Sequence, residues 1–292
     1  TLLFNVVRPD NLILGRRDAQ KYVVLKKLVE ELHFPVTVSL VETVRESDGL
    51  AANARNSYLN EFQRKDAATL YAALCEDKKL VDGDVLNRII MYVSAIMEVK
   101  SSMGVIVAAP TAGSCGAMPG AVLGVADALG LSEEETVKAL LIAGLIGVFI
   151  AAHSTFAAEV GGCQAECGAG ATMAAAALVY LGGGTLPQSL SAASMALQSS
   201  LGLICDPIGN RVEAPCLNRN VMAASNALSC ANMALAGYDP VIPLDEVIEA
   251  MDVVGKSIPN ELRCTALGGL SITKTAKEIE QRLGQKQFFK SC

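Results

Sequence analysis

From about Gly83 onward, the sequence shows one helical pattern after another and no pattern typical of a strand. Apolar residues recur at helical spacing, and Gly, Pro, Ser, Thr or Asp stands at most junctions. Hydrophobic residues make up 51% of the chain but aromatic residues only 4%, so the core must be built from small and aliphatic side chains. This suits closely packed helices. The predicted helices are residues 84–99, 119–129, 133–152, 171–181, 187–203, 218–236, 244–256 and 273–283.

The beginning of the chain has a different texture. NLILG is a short apolar run that ends at Gly15, residues 19–32 have apolar positions at helical spacing, and PVTVSLVET alternates like a half-buried strand. We therefore predict a mainly α fold with a small α/β N-terminal segment. The predicted domains are residues 1–63 and residues 64–292.

Composition excludes two classes of partner. The formal net charge is −6 and the basic residues are scattered, so we expect no nucleic-acid partner. The longest apolar stretch, residues 139–152, is shorter than the roughly 20 residues that a membrane span needs. We expect a soluble cytoplasmic protein with no membrane partner.

Three cysteines stand in loop-like surroundings in the second half of the chain: Cys163 in GGCQAE, Cys205 in GLICDP and Cys216 in EAPCLNRN. Each lies near a glycine or proline, where a helix is interrupted and a thiolate can point away from the backbone. Forty-one residues lie between the first two and ten between the second two, which is no metal-finger spacing. The pattern suggests a three-thiolate iron–sulfur site assembled from distant loops, although buried core cysteines are an equal alternative on spacing alone.

The other cysteines carry no further sign of ligation in the sequence. Five of them lie in or beside helical text or a glycine loop, and we interpret them as small buried core residues. We expect no disulfides, because the count is odd and no signal peptide is recognisable. These five are Cys75, Cys115, Cys167, Cys230 and Cys264.

Several separated motifs resemble the alpha chain of the iron–sulfur-dependent L-serine dehydratases over about residues 66–275. They are VIVAAPTAGSCGAMPGAVLG, GGCQAECGAGATMAAAALVYLGGGT, LGLICDPIGNRVEAPCLNRN and ELRCTALGGLSIT, in the family's order. The resemblance implies a multi-helix dehydratase alpha domain in which Cys163, Cys205 and Cys216 hold a [4Fe–4S] cluster. The implied activity is L-serine ammonia-lyase, which removes water from L-serine to give pyruvate and ammonia. The family's second lobe, with its serine–histidine–threonine motif, is not in this sequence, so a beta chain or second lobe is the implied partner, and we expect an oligomer.

The N-terminal block has its own resemblance, to the middle of pantothenate synthetase, the ATP-dependent pantoate–β-alanine ligase. It keeps Gly15 and Asp18 but has Arg17 where that family has lysine, and Asn53 and Ala54 where it has two serines. The histidine-rich ATP motif is not in the sequence. The chain therefore looks like a fusion, and two alternatives to the dehydratase stay open: a ligase remnant, or a non-catalytic iron–sulfur or subunit-interaction protein.

The resemblance also implies substrate-binding positions. Backbone amides of the glycine-rich loop at residues 111–116 would hold the substrate carboxylate, assisted by the hydroxyls of Thr111 and Ser114. A tight turn between helices is the alternative for this loop. Lys100 stands where the family usually has asparagine, which puts substrate placement in question.

Acid–base and capping groups are less defined. His153 and Glu166 are candidate proton-transfer groups because they flank Cys163 in the sequence. Arg219 is a candidate partner for the substrate carboxylate. Cys292, the final residue, is a candidate displaceable fourth ligand to the open iron. The sequence does not assign the general base.

Overall fold

The chain forms two compact units, Thr1–Leu80 and Val81–Cys292. The predicted boundary after residue 63 lies outside the described residues, as do Cys75 and Cys292, so the domain prediction stays a prediction. The structure, a computed structural model, describes residues 2–15, 19–41, 44, 46–47, 83–101, 104–211 and 213–288.

The described part of the first unit contains the predicted strand, helix and strand. The two strands pair in parallel, from Asn11 opposite Thr37 to Gly15 opposite Val41. The helix between them supplies the crossover that parallel pairing requires. The elements described in the first unit are α1 (Leu2–Val7), β1 (Asn11–Gly15), α2 (Ala19–Glu31) and β2 (Thr37–Val41).

The regular secondary structure described in the second unit is helical apart from one isolated bridge between Cys205 and Arg263, which confirms the mainly α prediction. All eight predicted helices are present, and the clearest difference is an earlier end of the fifth, at Gln198 instead of residue 203. Ser199 and Ser200 donate their hydroxyls back to carbonyls of the last turn, and Gly202 then adopts φ +82°. The helices are α3 (Asp84–Ser101), α4 (Ala117–Leu129), α5 (Glu133–His153), α6 (Ala158–Gly161), α7 (Ala169–Leu181), α8 (Leu186–Gln198), α9 (Cys216–Leu235), α10 (Leu244–Ser257) and α11 (Lys274–Phe288).

Helix α7 is the centre of the second unit. It contacts α4, α5, α8 and α9, and every one of its residues except Tyr180 is buried. Its sequence, AGATMAAAALVYL, has alanine at six of 13 positions and glycine at one, so neighbouring helices can pack against all of its faces. The alanine-rich, aromatic-poor composition is explained by this crowded centre.

Two glycines allow α3 and α4 to pack in close contact. A Cβ atom on Gly120 would lie 2.5 Å from Val93 Cγ2 and 2.9 Å from Val93 Cα, and one on Gly124 would lie 2.7 Å from Ile89 Cα. Because backbone atoms cannot move aside as side chains do, only glycine fits at these positions.

Helix α5 is the one helix in the described part of the chain that is long and apolar enough to cross a membrane. Core helices of soluble proteins also pass this test. Ser132 caps its N-terminus by accepting a hydrogen bond from Glu135 N, and one side of the helix packs against α7. Other apolar side chains of α5, among them Leu141, Leu145 and Val148, are exposed in the described chain.

Candidate active site

The first cysteine segment is shaped by a glycine and a wide helical turn. Gly162 ends α6 with φ +72°, and a Cβ atom there would lie 2.8 Å from Leu203 O. Cys163 follows, and a π-helical turn, Gln164–Gly168, leads into α7. The turn leaves the Sγ atoms of Cys163 and Cys167 only 3.7 Å apart. Cys167 is buried as predicted, but its thiol faces a candidate ligand.

The second cysteine lies on an extended segment that pairs with the loop between α10 and α11, residues 258–273, which we call the C-terminal loop. Cys205 N donates to Leu262 O at 2.8 Å, and Cys264 N donates to Cys205 O at 2.8 Å. This places the Cys264 thiol close enough to the Cys205 thiol for each to shift the pKa of the other. Cys264 packs against the core but is only partly buried, so its interpretation as a buried core residue is confirmed only in part. Loop pairing, which leaves no periodic signal in the sequence, is the physical reason.

Two of the three predicted ligands meet at one point. Cys163 Sγ, a Glu166 carboxylate oxygen and Cys205 Sγ all lie within 4.8 Å of one another, a spacing at which they could hold a metal ion. Cys216 begins α9, is buried, and is close enough for its charge to interact with that of Cys163. The structure thus brings residues from three distant segments to one buried place.

The thiols have different pKa values. The pKa of Cys163 lies well below its usual range because the thiols of Cys167 and Cys205 donate to its thiolate and Arg219 is nearby. The pKa of Cys205 is raised mainly because its proton is used in that hydrogen bond. Burial raises the pKa of Cys216 to about 12.

A buried polar side chain fixes each cysteine segment. For Cys163 it is the neighbouring Gln164, which is fully buried. Its Nε2 donates to Met251 O at 2.9 Å, and its Oε1 accepts from Gly202 N at 2.8 Å. One amide therefore ties the π-helical turn both to α10 and to the loop that leads to Cys205.

For Cys205 the fixing residue is Asp206, which is buried with only 2% of its surface accessible to solvent. Its Oδ1 accepts from Arg219 Nη2 at 2.5 Å, and its Oδ2 accepts from Leu270 N at 2.7 Å. The carboxylate joins the Cys205 loop to α9 and to the C-terminal loop. A buried ion pair of this kind is stable only when its remaining hydrogen-bonding groups are also satisfied.

For Cys216 the fixing residue is Asn220, one turn further along α9 and fully buried. Its Oδ1 accepts from Gly116 N at 3.1 Å and from Ala117 N at 2.9 Å. Its Nδ2 donates to Gly113 O at 2.9 Å and to Cys216 O at 2.8 Å. This side chain connects the glycine-rich loop directly to a cysteine segment.

The glycine-rich loop approaches the cysteines through a chain of hydroxyls. Thr111 Oγ1 donates to Glu166 Oε1 at 2.7 Å and lies 3.0 Å from Ser114 Oγ. A Cβ atom on Gly113 would lie 2.9 Å from Glu166 Oε1, so any side chain there would push the Glu166 carboxylate from its position. Burial raises the pKa of Glu166 to about 7, although the Thr111 hydrogen bond opposes the rise.

Several backbone donors of this loop are already used inside the protein. Thr111 N donates to Ser114 Oγ, Ser114 N to Thr111 Oγ1, and Gly116 N to Asn220 Oδ1. Three of the amides of residues 111–116 therefore already have partners inside the protein, and the contact of this loop with a substrate carboxylate stays a prediction. The loop is a built structure in which Thr111 and Ser114 support each other.

Two predicted catalytic residues lie elsewhere or are engaged. His153 is exposed at the C-terminal end of α5, whereas the cysteines are buried. Arg219 is paired with Asp206 through Nη2, so part of its guanidinium is already engaged, and its contact with a substrate carboxylate stays a prediction. Its Nη1 is buried and has no hydrogen-bond partner at bonding geometry among the described residues, and the guanidinium lies next to Cys163. Cys292 lies outside the described residues.

Lys100 contributes a second cation near the cysteines. It is partly buried, which lowers its pKa, while Cys216, Cys115, Glu213 and Glu166 oppose that shift through their charges. The position at which the resemblance implies asparagine thus carries a cation whose charge interacts with those of Cys216 and Glu166. Cys115, by contrast, is a fully buried core residue, 3.9 Å from Met97 Sδ, and Cys230 is buried beside Asn226, as predicted for both.

Sequence reasoning missed the residues that position the site. Gln164 and Asp206 directly follow two of the predicted ligands, and Asn220 follows the third by one helical turn. Each is a polar side chain in a segment that is otherwise buried, and such side chains are hydrogen-bonded in native proteins. That repeated adjacency was the available signal.

Comparison with known proteins assigns the family. The family model "Serine dehydratase alpha chain" matches residues 31–271, which begins ahead of the predicted domain start at residue 64. The "Probable L-serine dehydratase, alpha chain" of Bacillus subtilis (strain 168) is 43% identical over 218 residues, 75% of this chain and 72% of that protein. The protein of the same name from Latilactobacillus sakei is 42% identical over 200 residues, 68% of this chain and 96% of that protein.

The second resemblance finds only weak support. A crystal structure of pantothenate synthetase from Thermus thermophilus is 35% identical but covers 35% of this chain and 30% of its own, with a TM-score of 0.23. That score is too low to support an argument about the fold. The prediction of a lyase of the L-serine dehydratase type is confirmed at the level of the family, and the chain belongs to the serine dehydratase alpha chain family.

Proposed function

We propose that this chain is the cluster-binding lobe of an L-serine ammonia-lyase, which eliminates water from L-serine and yields pyruvate and ammonia. Family membership supports the reaction. The observation that carries the proposal is the meeting of Cys163, Glu166 and Cys205 at one buried point that a hydroxyl chain links to the glycine-rich loop. This arrangement combines thiolate ligands with a carboxylate that can transfer protons.

The residues at this point fit a [4Fe–4S] cluster. Three thiols from separate segments are available, and Arg219 Nη1 is a buried donor that meets no partner among the described residues. An anionic cluster would satisfy that donor, since buried polar groups are normally paired. We propose Cys163, Cys205 and Cys216 as ligands. A cluster held by three thiolates supplies an iron with an open position, which acts as a Lewis acid toward a substrate hydroxyl.

Glu166 and Thr111 are the proposed groups that contact substrate. The Glu166 carboxylate lies beside Cys163 and Cys205 and accepts a hydrogen bond from Thr111. A carboxylate in this position can orient the substrate hydroxyl and exchange a proton with the departing oxygen. Thr111 holds the carboxylate in one orientation through this hydrogen bond. We propose that the Thr111 hydroxyl also contacts the substrate.

Ser114 and Arg219 act through other groups. Ser114 is fully buried, so its hydroxyl supports Thr111 instead of reaching the substrate. Arg219 carries a positive charge between Asp206 and Cys163, where it offsets the negative charge of the thiolates. We therefore assign Arg219 to charge compensation, and the substrate carboxylate needs another partner.

The general base is proposed to come from a partner. The relatives are named as alpha chains, which supports a separate beta chain or second lobe. His153 is exposed and can be tested as an alternative base. We also propose a cytoplasmic location, in keeping with a reduced cluster and unpaired thiols, and an oligomeric enzyme.

The test is pyruvate release from L-serine by anaerobically reconstituted protein, alone and with a beta chain of the family added. We expect little turnover alone and at least a tenfold rise with the beta chain. Glu166→Gln should then lower kcat by roughly 10²-fold or more, as expected for loss of a proton-transfer group. His153→Gln should leave the rate of the completed enzyme unchanged.

Full activity of the chain alone, abolished by His153→Gln, would show that the base lies in this chain. A reconstituted cluster with no pyruvate from L-serine under either condition would favour the non-catalytic iron–sulfur protein instead.

A further inference from the structure

Four thiols of the site form a continuous row. The Sγ atoms of Cys167 and Cys163 are 3.7 Å apart, and those of Cys163 and Cys205 lie within 4.8 Å of each other. Cys264 is next to Cys205, because its backbone N–H donates to Cys205 O at 2.8 Å. We call this set the thiol row. Its inner end, Cys167, is buried, and its outer end, Cys264, is partly exposed.

Only the two middle members of the thiol row are proposed cluster ligands. Each of them contacts one thiol that no part of the proposed reaction uses: Cys167 beside Cys163, and Cys264 beside Cys205. The two unused thiols lie on opposite sides of the ligand pair and on different segments, the π-helical turn and the C-terminal loop. If Cys167 and Cys264 served only in packing, there would be no reason for each of them to contact a proposed cluster ligand.

We propose that Cys167 and Cys264 are reserve thiols, which form reversible disulfides with Cys163 and Cys205 when the cluster is absent. This inference rests on the proposed function only in taking Cys163 and Cys205 as ligands. The oxidant is a peroxide. Each pair loses two electrons and two protons to one hydrogen peroxide molecule, which leaves as two waters. A dithiol reductant returns both pairs to thiols and so restores the ligands.

Pairing at the two ends is favoured by the order of the thiol row. Disulfides Cys163–Cys167 and Cys205–Cys264 use all four thiols. A Cys163–Cys205 disulfide would leave Cys167 and Cys264 separated and open to further oxidation. Sulfinic and sulfonic acids are irreversible under ordinary conditions, whereas a disulfide is not. The reserve thiols would thus keep the ligands recoverable.

The first experiment maps disulfides in the cluster-free full-length chain after a limited dose of hydrogen peroxide and alkylation of free thiols. Cleavage after Glu166, Tyr180 and Glu213 separates Cys163, Cys167, Cys205 and Cys264 onto different peptides for mass spectrometry. We expect Cys163 linked to Cys167 and Cys205 linked to Cys264. Cys163 linked to Cys205, or all four thiols alkylated or overoxidised, would overturn the proposal.

The second experiment measures iron recovery in Cys167→Ala/Cys264→Ala, with Cys230→Ala as the control for loss of a buried thiol. Each protein is oxidised without its cluster, reduced with a dithiol and reconstituted. The parent and Cys230→Ala should regain their original iron content. The double variant should regain less than about half, because its ligands reach irreversible oxidation states.

Three results separate the possibilities. Equal recovery in the double variant and the parent would contradict the reserve role. Loss of iron by the double variant before any oxidation would mean that Cys167 or Cys264 is a ligand, which also contradicts it. If the parent never binds iron, the proposed function fails, while the disulfide map still decides whether the two thiol pairs form.

Discussion

The helical core around α7 and the cysteine segments are equally buried, but their positions are fixed by different forces. In the core, small and aliphatic side chains fill the space around α7, and two glycines of α4 allow its close contact with α3. Around the cysteines, three buried polar side chains, Gln164, Asp206 and Asn220, hold the segments through directed hydrogen bonds. We therefore expect the core to be destabilised most by added side-chain volume, and the site to be destabilised most by the loss of hydrogen-bond partners.

The largest effect is expected from Asn220→Ala. The change leaves Gly116 N, Ala117 N, Gly113 O and Cys216 O without this partner, and each unsatisfied buried group costs about 1–3 kcal/mol. Allowing for relaxation, we expect the free energy of unfolding to fall by about 3–5 kcal/mol in urea titrations of the cluster-free protein.

The matched control is Asn226→Ala on the same helix. Its Nδ2 donates to one backbone carbonyl, Ala196 O at 2.9 Å, and we expect a loss of about 1 kcal/mol. Equal losses at Asn220 and Asn226 would show that the loop is not held by the amide.

Arg219→Gln tests charge compensation at the site. The variant leaves Asp206 buried without its cation, and breaking a buried pair by removing one partner costs about 3 kcal/mol. The double variant Asp206→Asn/Arg219→Gln should cost less than the sum of the two single changes. Iron content after reconstitution separates the roles: a merely structural pair predicts that the double variant regains parental iron, whereas charge compensation predicts that it stays below parental iron.

Gly120→Ala tests overcrowding in the core. The new methyl group would lie 2.9 Å from Val93 Cα, and we expect a loss of about 2 kcal/mol, within the range for overpacked cores. Gly144 is an exposed residue of α5, and a Cβ atom there would have no atom within 4 Å apart from the backbone of its own helix. Gly144→Ala should therefore stabilise the protein by about 0.5–1 kcal/mol. Thermal or urea unfolding of the two variants and the parent measures both changes. A neutral Gly120→Ala would contradict the close packing of α3 and α4.

The smallest effect on stability is expected from Cys292→Ser, which should leave the free energy of unfolding unchanged. If the terminal thiol caps the open iron, the variant should lose cluster absorbance in air faster than the parent, because water replaces a ligand that binds soft metals more strongly. Identical bleaching rates would refute the cap.

The same comparison explains what the sequence could predict. The helices around α7 were predictable because helical periodicity and punctuation are local. The predicted ligands followed from a family resemblance, and their local signal was a glycine or proline at each cysteine. The role of Asn220 was not predictable, because its amide joins groups 104 residues apart along the chain. The engagement of Arg219 by Asp206 is equally a tertiary contact that no local sequence pattern shows.

Loop pairing set a further limit. Cys264 was interpreted as a core residue because its neighbours gave no sign of ligation, yet backbone pairing with Cys205 brings the two thiols together. Glu166 was identified as a proton-transfer candidate from its position in the sequence alone. The hydrogen bond from Thr111, 55 residues away, supplies the physical connection.

The most direct test of the central claim is the iron and sulfide content of Cys163→Ala, Cys205→Ala and Cys216→Ala after anaerobic reconstitution, beside the parent and Cys230→Ala. The proposed ligand set predicts about four irons per chain in the parent and in Cys230→Ala. Each of the three ligand variants should lose most of that iron and its cluster absorbance. Equal iron content in all five proteins, or an iron-free parent, would contradict it.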